Sequence, residues 1–572
     1  MADAGFLVAR YIILLKLRDW SDTGQKKERL CHFIQNVASY MVEPNAIVEG
    51  EVDMKRIHCT MKLVIVFLIA GFLTSSCATL SSIQPDSDYF PTQTWHKTAP
   101  EAQGMDSVAL AQMFETIENE DLHLHSLLIV RNGYLVTEAY WHPYAPDTKH
   151  SIESNTKTII GTLIGIAIDQ GALDSVDQKM VDLLPERIIE NLDDQKKSIT
   201  LQNLLSMTPG LTCQDLSSAG QGIYQAEDWV QYLLDLPVTD PPGSRWIYCN
   251  GAAHLLSAIL QDATGMDARS YANTHLFKSL GIPKVPEQDW NTDPNGVTNG
   301  IAGLYLTPRD LAKYGYLYLM KGNWNGKQVV PYQWVEESTR EHAYIGPDDY
   351  VGGLDRRFGY FWSIFPDLQY YGYLGMAGQE LYVVPEKNMV IVFSGALQLG
   401  KEALLLGLVN DHIIPAAVSD DPLPPNPQAL SKLAALTQAV AGSPLPVPPL
   451  PQTALDISGQ TYLLEPNSLG WKDMTFNFQP DSDTAILKMS TSSDLKIGLD
   501  NRYRLTETPN SRPVGLRAQW LAPDEFKLEY IIQGEFIESM GRFKFEGSRM
   551  TLTIINLNFG DRPMILHGNI EK

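Results

Sequence analysis

At 572 residues the chain is longer than one hydrophobic core usually organises, so two or more domains are expected. A formal net charge of -23 argues against an electrostatic nucleic-acid binder, which needs a basic face to neutralise phosphates. With 44% hydrophobic and 19% charged residues, the composition is that of an ordinary globular protein.

Residues 1–53 lack a strong periodicity and read as a segment upstream of the native start, with translation beginning at Met54 or Met61. Met54-Lys55-Arg56 opens a basic stretch, residues 63–73 are apolar, and Thr74-Ser75-Ser76-Cys77 closes the run. That order describes a secretory signal peptide over 54–77, and the apolar part is short of the roughly twenty residues a membrane span wants. The ending resembles a bacterial lipoprotein signal with Cys77 as the lipidated residue, although Thr74 stands where an aliphatic residue is usual. The expectation is an exported, lipid-anchored protein of the bacterial envelope, facing the periplasm or the cell surface and tethered through polar, proline-punctuated residues 78–99.

Ordered structure is expected from Pro100. Residues 126–130 and 134–140 flank Asn132-Gly133 and predict a hairpin, and residues 380–384 and 389–393 predict a second one far downstream. Between them the pattern is mostly helical. Strands, then helices, then strands suggest one antiparallel sheet completed by both ends of a mixed α/β domain spanning 100–418. Proline-rich stretches make 419–453 a linker around a short helix at 430–440. Short alternating segments at 474–478, 485–489, 526–530, 543–545 and 550–554 predict a small all-β barrel or sandwich over 454–572, with an accessory role.

Ser154-Asn155-Thr156-Lys157 is an S-x-x-K tetrad at the start of a run that is apolar on nearly every side to Ala167. Residues i and i+3 share a helix face, so the amine can reach the hydroxyl. Unpaired N–H groups at a helix start favour negative charge, and apolar neighbours disfavour a charged amine, which suits it to general-base work. Alone, an S-x-x-K is common by chance. Downstream, Tyr248 and Asn250 put a phenol and an amide on one loop edge before a second helix. Tyr373-Leu374-Gly375-Met376-Ala377-Gly378 is a glycine-rich turn whose backbone N–H groups can approach a carbonyl oxygen closely.

In this order the motifs resemble the serine β-lactamase and penicillin-binding-protein-like family of class C type, nearest its esterase and 6-aminohexanoate-dimer-hydrolase branch. Leu204-Leu-Ser-Met-Thr-Pro-Gly-Leu211 and Gly303-Leu-Tyr-Leu-Thr-Pro-Arg-Asp-Leu-Ala-Lys313 add to the likeness, which spans about 100–416. The resemblance implies a β-lactamase/transpeptidase-like fold. It implies acylation of Ser154, proton abstraction by Lys157, and proton relay by Tyr248. It also implies that Asn250 orients Lys157 or the substrate, and that Ser154 and Met376 N–H groups form an oxyanion hole. No cofactor is implied. The family commonly has lysine or histidine where this chain has Tyr373, so esters, amides or short peptides without the β-lactam carboxylate are the expected substrates. The alternatives are a β-lactamase or D-amino-acid carboxypeptidase acting on β-lactams or peptidoglycan peptides, and a non-catalytic envelope binding protein.

The chain has five cysteines, none in C-x-x-C spacing, and Cys213 and Cys249 each follow a site motif, so a disulfide between them is one reading and two buried thiols the other. His123 and His125 share a strand face as two metal ligands could, yet with no acidic or cysteine neighbour they read as two half-exposed histidines. His150 is a second, weaker base candidate beside Lys157. Arg309 and Asp310 read as helix-start residues, and Trp290 and Trp324 as loop packing.

Overall fold

The computed structural model describes residues 89–213, 222–345, 355–509, 511–560 and 562–571. The signal-like segment and Cys77 lie outside them.

An eight-stranded antiparallel sheet organises the first part. Its strands are β1 (Leu124–Arg131), β2 (Tyr134–Tyr140), β3 (Ala343–Tyr344), β4 (Arg357–Phe358), β5 (Ser363–Phe365), β6 (Tyr370–Gly375), β7 (Gln379–Val384) and β8 (Met389–Gly395), ordered β2-β1-β8-β7-β6-β5-β4-β3. The two predicted hairpins are β1–β2 and β7–β8. They meet edge to edge, Leu127 opposite Phe393 and Ile129 opposite Ile391, so both ends of the domain complete one sheet. Asn132 and Gly133 take φ of 51° and 82°, the two-residue turn that hairpin twist favours.

Every residue of β1 is buried because helices cover both faces. Alternation sends Leu128 and Val130 into one core and Leu127 and Ile129 into the other. Helix α1 (Ser107–Asn119) contributes to the second core. The first core holds α2 (Thr156–Asp169), α3 (Asn250–Thr264) and α4 (Pro308–Leu319). α2 is buried from Thr156 to Ala167, as its all-round apolar pattern predicts. Gly165 is needed there, because a Cβ would stand 2.2 Å from the Trp334 ring. Trp290 and Trp324 are buried packing residues. Thr307 caps α4 by accepting from Asp310 N–H at 3.1 Å.

Within 419–453, helix α5 (Pro427–Val440) buries Leu433 in the core that holds Leu110 and Phe114 of α1. The C-terminal strands are β9 (Thr461–Leu464), β10 (Asp473–Asn477), β11 (Thr484–Lys488), β12 (Leu495–Gly498), β13 (Arg504–Thr506), β14 (Val514–Ala522), β15 (Glu525–Ile532), β16 (Glu538–Glu546), β17 (Arg549–Asn556) and β18 (Met564–Ile570). Their order is β12-β11-β10-β9-β18-β17-β16-β15-β14-β13, and parallel pairing of Ile497 with Leu516 joins β12 to β14 and closes a barrel. Phe476, Phe526, Phe543 and Phe545 fill it with edge-on aromatic contacts.

Candidate active site

The chain enters the site through a short strand, His150–Ser151, paired with Tyr305–Leu306. Glu153 then takes φ of 46°, and Ser154 sits in the single turn Glu153–Asn155 just before α2 rather than inside the helix. Ser151 Oγ donates to the Glu153 carboxyl at 2.5 Å, and burial pushes that carboxyl's pKa upward. Three residues on, Lys157 points back along the helix toward the turn it has just left. Its Nζ donates to Ser154 Oγ at 2.9 Å and to the carbonyl of Ile301 at 2.7 Å. The lysine side chain is fully buried.

Tyr248 reaches the same oxygen from the opposite side. Its hydroxyl donates to Ser154 Oγ at 2.8 Å, and Lys157 Nζ lies 5.2 Å from the centre of its ring. Tyr373 Oη stands 3.1 Å from Tyr248 Oη. Burial, then the neighbouring Tyr248 phenol, pushes the Tyr373 hydroxyl well above the ordinary tyrosine range, so it stays neutral. A proton-bearing chain therefore runs Lys157, Ser154, Tyr248, Tyr373.

β6 delivers Tyr373 and ends at Gly375. A Cβ on Gly375 would lie 2.5 Å from the Gln379 carbonyl, so only glycine fits opposite Gln379 at this strand end, with Asn155 Nδ2 in ordinary contact at 3.5 Å. Met376–Gly378 then form a tight turn with Ala377 at φ 56°. Gln379 holds it from within: its side-chain amide donates to Gly395 O at 2.7 Å and to Met376 O and Ala377 O at 3.3 Å.

Cys213 and Cys249 are joined as a disulfide. Cys249 follows Tyr248 directly and precedes Asn250, the first residue of α3. The cross-link thus ties the phenol's loop to the segment after the Leu204–Leu211 motif.

Sequence reasoning missed the Ile301 carbonyl, since a main-chain acceptor leaves no trace in residue type. Asn299 was a usable signal: its side chain accepts from Ile301 N–H at 2.9 Å and shapes the turn that aims the carbonyl. The histidines also differ from expectation. His125 is buried rather than half-exposed, and His150 faces His125, not the nucleophile. Among the described residues, no group of three or more His, Cys, Asp and Glu is placed to hold a metal ion.

A hydrogen-bonded Ser-Lys-Tyr set at the edge of a helix-covered antiparallel sheet is the arrangement of a β-lactamase-fold serine hydrolase. Residues 121–398 match the family model described as Beta-lactamase, and over that stretch the chain is similar to the serine β-lactamase and penicillin-binding-protein-like family. Among its relatives is an uncharacterized protein of Alkalihalophilus pseudofirmus, 27% identical over 323 residues that make up 50% of this chain and 88% of the relative. A 6-aminohexanoate-dimer hydrolase of Paenarthrobacter ureafaciens is 24% identical over 307 residues, 50% of this chain and 76% of that enzyme. The octameric penicillin-binding protein homologue from Pyrococcus abyssi is similar in structure at 17% identity, with a TM-score of 0.42 over 80% of this chain and 99% of the homologue.

Proposed function

We propose that the protein hydrolyses ester or amide bonds through an acyl-enzyme on Ser154. Lys157 takes the Ser154 proton as Oγ attacks the substrate carbonyl. Tyr248 passes a proton to the leaving alcohol or amine as the carbonyl–heteroatom bond breaks. Water then attacks the acyl-enzyme, gives its proton to the same groups and releases the acid, leaving Ser154 protonated as before. N–H groups of Ser154 and Met376 hold the oxyanion. The observation that carries this reading is the pair of contacts on one oxygen, 2.9 Å to Lys157 Nζ and 2.8 Å to Tyr248 Oη.

A neutral Tyr373 beside Tyr248 supports acyl groups without the carboxylate that a lysine or histidine at that place would clamp. The relative named for 6-aminohexanoate-dimer hydrolysis supports inclusion of amides among the substrates. Export with lipidation at Cys77 completes the proposal. The Cys213–Cys249 disulfide is in keeping with an oxidising compartment.

The test uses the exported form beginning near Ala78. A fluorophosphonate probe and a panel of esters, amides and a chromogenic β-lactam are applied to wild type and Ser154→Ala. Labelling and turnover by wild type alone support the reading, and equal labelling of Ser154→Ala defeats it. Expression of the chain with its signal segment in a bacterial host tests the anchor: detergent-phase partitioning of wild type that vanishes in Cys77→Ala supports it, and equal partitioning of the two overturns it.

A further inference from the structure

Three histidines that this chemistry does not use form a line from the barrel to the nucleophile's own segment. The Glu538 carboxylate on β16 meets His123 Nδ1 at 2.7 Å and His125 Nε2 at 3.1 Å. His125 Nδ1 meets His150 Nε2 at 2.8 Å, and His150 Nδ1 meets the carbonyl of Ser151 at 2.8 Å. Ser151 N–H donates in turn to the carbonyl of Gly534, in the barrel turn between β15 and β16, at 2.7 Å. Ser151 lies three residues before Ser154, and its side chain orients Glu153.

The hydrogens along this line can be counted. It ends on two acceptors, the Glu538 carboxylate and the Ser151 carbonyl. Between them stand His125 and His150, joined by three contacts that each need one hydrogen. Two neutral imidazoles supply only two. One ring must therefore carry both N–H groups. Burial holds His150 neutral, its pKa pushed down to about 3, and Arg512 on that side opposes a charge there. Burial, with the charge of His123, lowers the His125 pKa from its ordinary value against the pull of the Glu538 carboxylate, so it is the count of three contacts on two rings that calls for the charge there. Glu538 itself is pushed up by burial and held down to about 2 by hydrogen bonds from His123 and His125, so it is ionised. The other groups around the line are Asp121 beside His123, Tyr144 stacked on His125 at 3.9 Å, and Glu529, Glu535, Tyr503 and Arg517 from the barrel side.

We propose that His125 is held as an imidazolium between Glu538 and a neutral His150, and that this relay is a positioning device by which the C-terminal barrel sets the Ser151–Ser154 segment. The catalytic half rests on the reading of Ser154 as nucleophile; the protonation half stands without it. The relay is complete below the pH at which His125 deprotonates. Above it one contact becomes acceptor against acceptor, and the Ser151 carbonyl loses its hold.

The test has two readouts on the full exported chain. Nitrogen-15 spectra of histidine-labelled protein, with His125→Asn assigning the signal, should find both His125 nitrogens protonated near pH 7 and His150 protonated at Nδ1 alone. Glu538→Gln keeps the size and one acceptor but removes the charge. It should lower kcat about 10- to 100-fold with KM nearly unchanged, and move the loss of activity at high pH to lower pH. A merely structural contact would survive that change, so wild-type kcat and pH profile in Glu538→Gln overturn the positioning role. A neutral His125 near pH 7 in wild type overturns the protonation, even if the variant does not fold. Probe labelling of Ser154→Ala would sink the nucleophile reading while leaving the histidine spectra to stand.

Discussion

Asn155 Nδ2 donates to the main-chain carbonyl of Gln379 at 2.7 Å, which fastens the residue after Ser154 to the residue that closes the Met376–Gly378 turn. The nucleophile and the turn proposed to bind the oxyanion are thus fixed to each other by one buried hydrogen bond. Both side chains are essentially inaccessible, Asn155 at 0% and Gln379 at 1% exposure, so neither can be replaced by water without a cavity.

Gln379→Met should therefore loosen the turn without touching the substrate. Its four side-chain amide contacts are lost while volume is kept. Steady-state kinetics on an ester should find kcat reduced about 10- to 100-fold with KM within about twofold. A large rise in KM at constant kcat would mean that the turn binds substrate rather than the developing charge.

Lys157→Arg separates charge from base function. Arginine keeps the cation and can still donate to Ser154 Oγ, but it does not give up its proton to act as base. Acylation measured by single-turnover probe labelling should fall by about 10²- to 10⁴-fold, as far as in Lys157→Met. Labelling near wild-type rate in either variant would exclude Lys157 as the base.

The pairing of Ser154 with Lys157 was legible because helix geometry alone brings i and i+3 together. Both hairpins were legible, the first through Asn132-Gly133 and the second through the apolar runs at 380–384 and 389–393. The meeting of Tyr248 with Ser154 and of Tyr373 with Tyr248 needed the family resemblance, since one tyrosine lies on a loop and the other on a strand and no local pattern links them. The Ile301 carbonyl and the Gln379 amide were not legible, because one side of each contact is a main-chain atom. Glu538 was hidden for another reason: its partners lie more than four hundred residues away, on a sheet that the barrel's own alternation does not encode. The barrel's longest strands include Val514–Ala522, which sequence reading overlooked where its alternation is broken by Gly515 and by Trp520-Leu521.

The disulfide closes a loop over a sequence separation of 36 residues. Cys213→Ser with Cys249→Ser should cost about 3 kcal/mol through the freer unfolded chain. It should also release the Tyr248 loop, so denaturant unfolding and kcat should both fall, and reducing agent should reproduce the effect on wild type. Unchanged unfolding after reduction would show that the cross-link restrains nothing.

Acid should weaken the seam between the catalytic domain and the barrel in two stages. Burial, then Arg502, Arg517 and Arg504 nearby, pushes His142 from the ordinary 6.5 down to about 4. The unfolded chain thus takes up this proton before the native one, and stability falls as pH drops from about 6.5 toward 4. Glu538 follows: its native value near 2 lies below the ordinary 4.5, so its stabilisation is full above 4.5 and is lost as pH falls toward 2. Urea unfolding midpoints measured from pH 7.5 to 3 should fall through both windows. His142→Asn should make the first window shallower, leaving the slope that His150, pushed down to about 3, contributes there, whereas Glu538→Gln should spare the first window and flatten the second. A wild-type midpoint that is level between pH 6.5 and 4.5 would mean that His142 gains its proton without resistance, and that the arginines around it do not set its charge.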